Sequence, residues 1–133
     1  MIGYVTLGTD DLDRARGFYD ALMGSIGASR LMQIDGEEAG GFTMYGRSMA
    51  APAIVLIRPN DRQPADCGNG NMIALAMNSR ERVDAFYAKA IELGGTDAGR
   101  PGYRGDPALG QYFAYVRDLD RHKLAAFNIA PGG

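Results

Sequence analysis

Only one cysteine, Cys67, occurs among the 133 residues, so no disulfide can close within the chain. It sits in a polar stretch, Gln63 to Gly70. A nucleophilic thiol needs a basic partner and a built site, and the plain reading is an incidental loop thiol. Long apolar runs are also missing: none approaches the ~20 residues that span a bilayer, so no membrane association is expected. The opening residues, Met1-Ile2-Gly3-Tyr4-Val5-Thr6-Leu7, enter a strand pattern with no basic stretch or cleavage signature. The expected location is therefore cytoplasmic. An excess of either charge is absent too. The 14 basic and 16 acidic residues are mixed along the chain, for a net charge of −2. No basic stripe exists, which argues against nucleic acid as a partner. The 19 glycines are scattered through turns and form no phosphate cradle. What is present, 46% apolar and 23% charged residues, is the composition of a globular domain with its own core.

An internal repeat organises the chain. Tyr4-Val5-Thr6-Leu7 matches Met72-Ile73-Ala74-Leu75, 68 positions on. In the same register Asp10 matches Asn78, Asp13 matches Glu81, and Phe18-Tyr19 matches Phe86-Tyr87. Each copy therefore begins with an alternating strand. A capping residue follows, Asp10 or Asn78, with a carboxylate three positions later to favour the positive end of a helix. Apolar residues at helical spacing come next: Val83, Phe86, Tyr87 and Ala90 in the second copy. Gly24 and Gly94-Gly95 suit helix termination.

The rear of each copy repeats at an offset of 70. Gly40 to Arg47 falls on Gly110 to Arg117, and Ala53-Ile54-Val55-Leu56-Ile57 falls on Lys123-Leu124-Ala125-Ala126-Phe127. These matches predict an α+β single domain over 1–133, made of two tandem βαβββ modules at 1–60 and 70–131. Strands are expected at 2–9, 27–35, 40–46, 52–58, 71–77, 96–103, 110–117 and 122–129. Helices are expected at 11–23 and 80–94.

This arrangement resembles the vicinal oxygen chelate superfamily, the glyoxalase, bleomycin resistance and extradiol dioxygenase fold. The resemblance rests on Tyr4 to Ala15 with Phe18-Tyr19, on Gly70 to Ala76 with Phe86-Tyr87, and on the closing hairpin Tyr115-Val116-Arg117-Asp118-Leu119-Asp120. It implies curled mixed sheets around a ligand cavity, and it implies that homodimers are common. It also implies a divalent metal held by one residue on the first and one on the fourth strand of each module, usually histidine and glutamate. Those four positions here are Tyr4, Val55, Met72 and Ala125. Imidazole nitrogen and carboxylate oxygen are the donors such an ion needs, and this set supplies neither. A shift of one residue along any strand brings no histidine or carboxylate. The only histidine, His122, is expected to be a solvated turn residue on the face away from Ala125. No metal and no other cofactor is expected.

Strand alternation from those positions gives an inward face of Tyr4, Thr6, Ala53, Val55, Ile57, Met72, Ala74, Lys123, Ala125 and Phe127. Thr43, Tyr45, Gln111, Phe113 and Tyr115 join it through the repeat. Tyr4, Thr6, Tyr45, Val55, Met72, Phe113, Tyr115 and Ala125 are the expected ligand-binding residues. The lining is apolar with phenol hydroxyls, which suits a small amphipathic or aromatic molecule. Arg58, Arg100 and Arg104 could meet an anionic group at the mouth. The leading expectation is a metal-free binding protein. One alternative is a glyoxalase-like or dioxygenase-like enzyme using Tyr4, Tyr45 or Tyr115 as acid or base, or another metal site. A second is a dimeric interaction module whose inward residues are simply packed core.

Overall fold

The computed structural model describes residues 1–132; Gly133, the last residue of the expected 1–133 domain, lies outside them. The chain divides into two compact units, Met1–Gly68 and one that begins at Asn69. Each has the order βαβββ, and the fold class is α+β as the repeat predicts.

In the first unit β1 (Tyr4–Gly8) leads through α1 (Leu12–Gly24) to β2 (Ser29–Ile34), β3 (Phe42–Gly46) and β4 (Ala53–Ile57). The sheet order is β1-β4-β3-β2, with β1 parallel to β4 and the other pairs antiparallel. Leu12, Ala15, Phe18, Tyr19, Leu22 and Met23 form the buried stripe of α1, at the spacing of one helical face. That stripe packs on β2, β3 and β4, where Ile54 and Leu56 are also buried. Each such large side chain contributes roughly 1.5–3 kcal/mol when fully buried.

The helix caps correct the expectation by one residue. Asp11, not Asp10, caps α1 and accepts from the Arg14 amide at 3.1 Å. The buried Thr9 hydroxyl accepts the Asp11 amide, and so delays the helix start. Asp10 instead accepts the Ala65 amide at 2.9 Å, tying the segment after β4 to the end of β1. Asp13 lies in the first turn, as its spacing predicts.

The second unit runs β5 (Ile73–Ala76), α2 (Arg80–Glu92), β6 (Thr96–Tyr103), a 3₁₀ turn at Pro107–Leu109, β7 (Gln111–Arg117) and β8 (Lys123–Ile129). Its order, β5-β8-β7-β6, repeats that of the first sheet. Ser79, not Asn78, caps α2. Val83, Phe86 and Ala90 are its buried residues. Gly94, with φ of 101°, takes the left-handed conformation that ends the helix.

The β7–β8 hairpin also departs from expectation. His122 is buried at 6% exposure rather than solvated. Asp118, itself buried, accepts the backbone amides of Asp120 and His122, both at 2.9 Å. Among the described residues, no helix is long and apolar enough to cross a membrane.

Candidate functional site

Each sheet has a face that carries its helix and a far face. Register decides which residues occupy which. In the first unit Tyr4 pairs with Ala53 and Thr6 with Val55, while Met44 pairs with Val55. Tyr4, Thr6, Ala53, Val55 and Met44 therefore share the far face. Tyr45 pairs with Ile54 and Thr43 with Leu56, which puts both on the helix face.

The side chains agree with this assignment. The Tyr45 hydroxyl donates to Asp20 Oδ1 on α1 at 2.7 Å. Arg16, also on α1, donates through Nε to the Thr43 hydroxyl at 2.9 Å. The expected placement of Tyr45 and Thr43 beside Tyr4 and Val55 is thus corrected. The repeat in β3 runs at 71 rather than 70: Met44, not Tyr45, is the counterpart of Tyr115, since Met44 pairs with Val55 and Tyr115 with Ala125. A one-residue shift exchanges the two faces of a strand.

Burial and the Asp20 carboxylate both push the Tyr45 phenol well above the usual tyrosine range. A buried phenol held by a carboxylate on the helix side is a poor acid or base for a molecule on the far face. Tyr112 is also bonded toward the helix, where Asp84 accepts its hydroxyl at 2.6 Å and helps to push it up to about 12.

On the first far face Val55 is fully buried in a cluster with Met44 and Ala53, against which Leu31 and Phe42 pack. Tyr4 is 50% exposed and meets Phe42 edge-on at 5.7 Å. A charged metal ligand at Val55 would sit inside this apolar cluster. In the second unit Ala125 is fully buried and Met72 lies just before β5, 44% exposed. The four positions that the resemblance assigns to a metal thus offer a phenol, an isopropyl group, a thioether and a methyl group, and these donors do not fit a divalent ion. Among the described residues no group of three His, Cys, Asp or Glu side chains is placed to hold a metal ion.

The second far face is built differently. Ala74 pairs with Ala125, Ala125 with Tyr115, and Tyr115 with Gly99. The next row is Ala76, Phe127, Phe113 and Gly102. Aromatic rings therefore form an island with alanine on one side and glycine on the other. Phe113 stacks on Tyr115 at 5.9 Å and on Phe127 at 5.2 Å, each with interplanar angles of 15°. All three rings are only partly buried. Gly99 and Gly102 leave room for Arg104. A Cβ on Gly99 would stand 2.6 Å from the Tyr115 ring, and one on Gly102 would stand 3.2 Å from the Arg104 guanidinium. Arg104 lies 5.4 Å from the centroid of the Tyr115 ring, and Lys123 Nζ lies 4.9 Å from it. Strand alternation in the sequence places Phe113, Tyr115, Phe127 and Lys123 on one face. The Arg104 contact is visible only in three dimensions, because it depends on the two glycines of a neighbouring strand.

A cavity of about 600 Å³ in the first unit was not foreseen. It lies beyond the ends of β1 and β4, walled by Asp10, Glu37 and Glu38 and by Arg58 and Arg62. None of the eight expected ligand-binding residues lines it. Arg58, expected at a cavity mouth, is at this one instead.

No protein-family model and no curated protein matches the chain. Solved structures do. A glyoxalase/bleomycin resistance protein from Albidiferax ferrireducens T118 is 35% identical, with a TM-score of 0.79 over 96% of this chain and 98% of that one. A glyoxalase/bleomycin resistance protein/dioxygenase family enzyme from Burkholderia phytofirmans PsJN is 18% identical, with a TM-score of 0.71 over 96% and 98%. TnmS3, an antibiotic binding protein from Streptomyces sp. CB03234, is 18% identical, with a TM-score of 0.66 over 98% and 96%. The last two share the fold. With its βαβββ repeat, its two matching sheet orders and a relative 35% identical along nearly its whole length, the chain belongs to the glyoxalase/bleomycin resistance protein family, within the vicinal oxygen chelate superfamily.

Proposed function

We propose that this protein binds a small amphipathic or aromatic compound on the far faces of its sheets, without the family's metal. The observation that carries this reading is the second far face. Phe113, Tyr115 and Phe127 are stacked and partly exposed between rows of alanine and glycine. Partly exposed rings flanked by residues without bulk present a flat apolar shelf, and covering it with an aromatic molecule removes that surface from water. Tyr4, Thr6 and Met72, also exposed on or beside the far faces, are proposed as further contacts, and Val55 and Ala125 as the packed floor. The misfit of the four positions the resemblance assigns to the metal supports a reading without the Lewis acid through which the family's enzymes would act. Among the structural relatives, TnmS3 is a binding protein on the same fold.

The protein is further proposed to be a cytoplasmic homodimer. The sedimentation mass of purified protein would test the dimer. Binding is tested by titrating 2-naphthamide, a neutral aromatic probe, into labelled protein and mapping the amide shifts. Saturable shifts at β7 and β8 are expected. An absence of saturable binding would overturn the proposal.

A further inference from the structure

We infer that the far face of the second sheet selects a planar aromatic anion. This rests on the ligand-binding reading above and narrows it to a chemical class. The argument begins from charge. Lys123 and Arg117 pair across β7 and β8 at one end of the face, and Arg104 lies over Tyr115 in the middle. Like charges directly opposite each other are unfavourable without a counter-charge. Among the described residues neither Arg104 nor Lys123 has a carboxylate within ion-pair distance. The Arg104 guanidinium donates to backbone carbonyls, at 2.7 Å to Arg100 and 3.4 Å to Tyr103. Arg117 likewise donates to the carbonyl of Arg121, at 2.9 Å.

The paired residues of the face carry no acid. Asp97 of β6 pairs with Val116, on the helix side, where it accepts the Tyr87 hydroxyl at 3.0 Å. Cations that keep donors available, set beside stacked aromatic rings, match a flat ring system bearing a carboxylate or similar anion. The ring would lie against Phe113 and Phe127 over Ala74 and Ala76, and its anion would reach Lys123 and Arg104. A neutral aromatic gains only the stacking, and a cationic one is also repelled by Lys123 and Arg104.

Three probes of one ring size test this: 2-naphthoate, 2-naphthamide and 2-naphthylmethylammonium, titrated calorimetrically into the intact protein. The naphthoate should bind about tenfold more tightly than the amide, and the ammonium more weakly than either. Rising salt should erode the naphthoate advantage and leave the amide unchanged. Lys123→Gln and Arg104→Gln should each reduce the naphthoate-to-amide affinity ratio. The salt series on unaltered protein keeps the test valid should a variant fold poorly. If amide and naphthoate bind equally, the inference is overturned and the ligand-binding proposal stands. If neither binds, both fall.

Discussion

The hydroxyl of Tyr45 donates to Oδ1 of Asp20 at 2.7 Å, from a ring that is 1% exposed. Arg30 closes on the same carboxylate with two hydrogen bonds, at 2.8 and 2.9 Å. Burial opposes ionisation of Asp20, but the hydrogen bonds from Arg30 and Tyr45 outweigh it and hold the carboxyl below the usual aspartate range. The cluster is a structural clamp between α1, β2 and β3. It occupies the tyrosine that sequence placed among the ligand contacts.

Replacing Tyr45 by Phe should therefore lower stability by about 1 kcal/mol and leave probe binding on the second unit unchanged. The modest figure reflects the half-exposed carboxylate, which is 46% accessible. The pH dependence has a definite sign. A carboxyl whose folded pKa is depressed contributes stability that is fully present above its unfolded value and is lost as pH falls through the folded one. The gap between Tyr45→Phe and the unaltered protein should thus be full at neutral pH and shrink in acid, as the pH falls through the depressed Asp20 titration. Urea melts across that range would measure it, and a gap independent of pH would remove Asp20 from the account.

Gly99→Ala should damage the second far face directly. At φ of 156° the backbone is unfavourable for an L side chain, and the new methyl would meet the Tyr115 ring at 2.6 Å and Arg104 at 3.3 Å. A loss of about 1–3 kcal/mol is expected, together with weaker naphthoate binding as Tyr115 and Arg104 are displaced. Gly17→Ala is the control. Gly17 sits inside α1 with nothing within 4 Å of where a Cβ would stand, so alanine there should add about 0.5–1 kcal/mol. Thermal melts of the two variants should move in opposite directions.

Asp118→Ala should cost about 2 kcal/mol, because the buried His122 amide and the partly buried Asp120 amide lose their acceptor. Asp118→Asn keeps an acceptor oxygen and should recover part of the loss. Equal destabilisation by the two substitutions would show that the negative charge, not the hydrogen bonds, holds the turn.

Metal removal should have no effect. Protein dialysed against EDTA is expected to keep its melting temperature and its affinity for 2-naphthamide. Stoichiometric zinc, nickel, iron or manganese resisting that dialysis would overturn the metal-free proposal.

Sequence by itself determined the fold, because two copies of one pattern constrain each other. Matching strand starts, first-turn carboxylates Asp13 and Glu81 and the shared Phe-Tyr pair are local features that helices and strands impose on any chain that forms them. It also determined which residue types stand at the positions the family resemblance assigns to the metal, Tyr4, Val55, Met72 and Ala125, since residue identity needs no coordinates. Which face β3 presents was not legible. Phe42-Thr43-Met44-Tyr45 alternates two apolar or aromatic residues with a hydroxyl and a phenol, so either register reads as acceptable, and only pairing with β4 chose between them. The cap positions moved by one residue for a similar reason: Thr9 displaced Asp10 from that role through a hydroxyl bond that depends on the local path of the chain. Tertiary structure alone decided that Arg104 lies over Tyr115. That contact joins the end of β6 to β7 across Gly99 and Gly102, and no pattern within one strand encodes what its neighbour leaves empty.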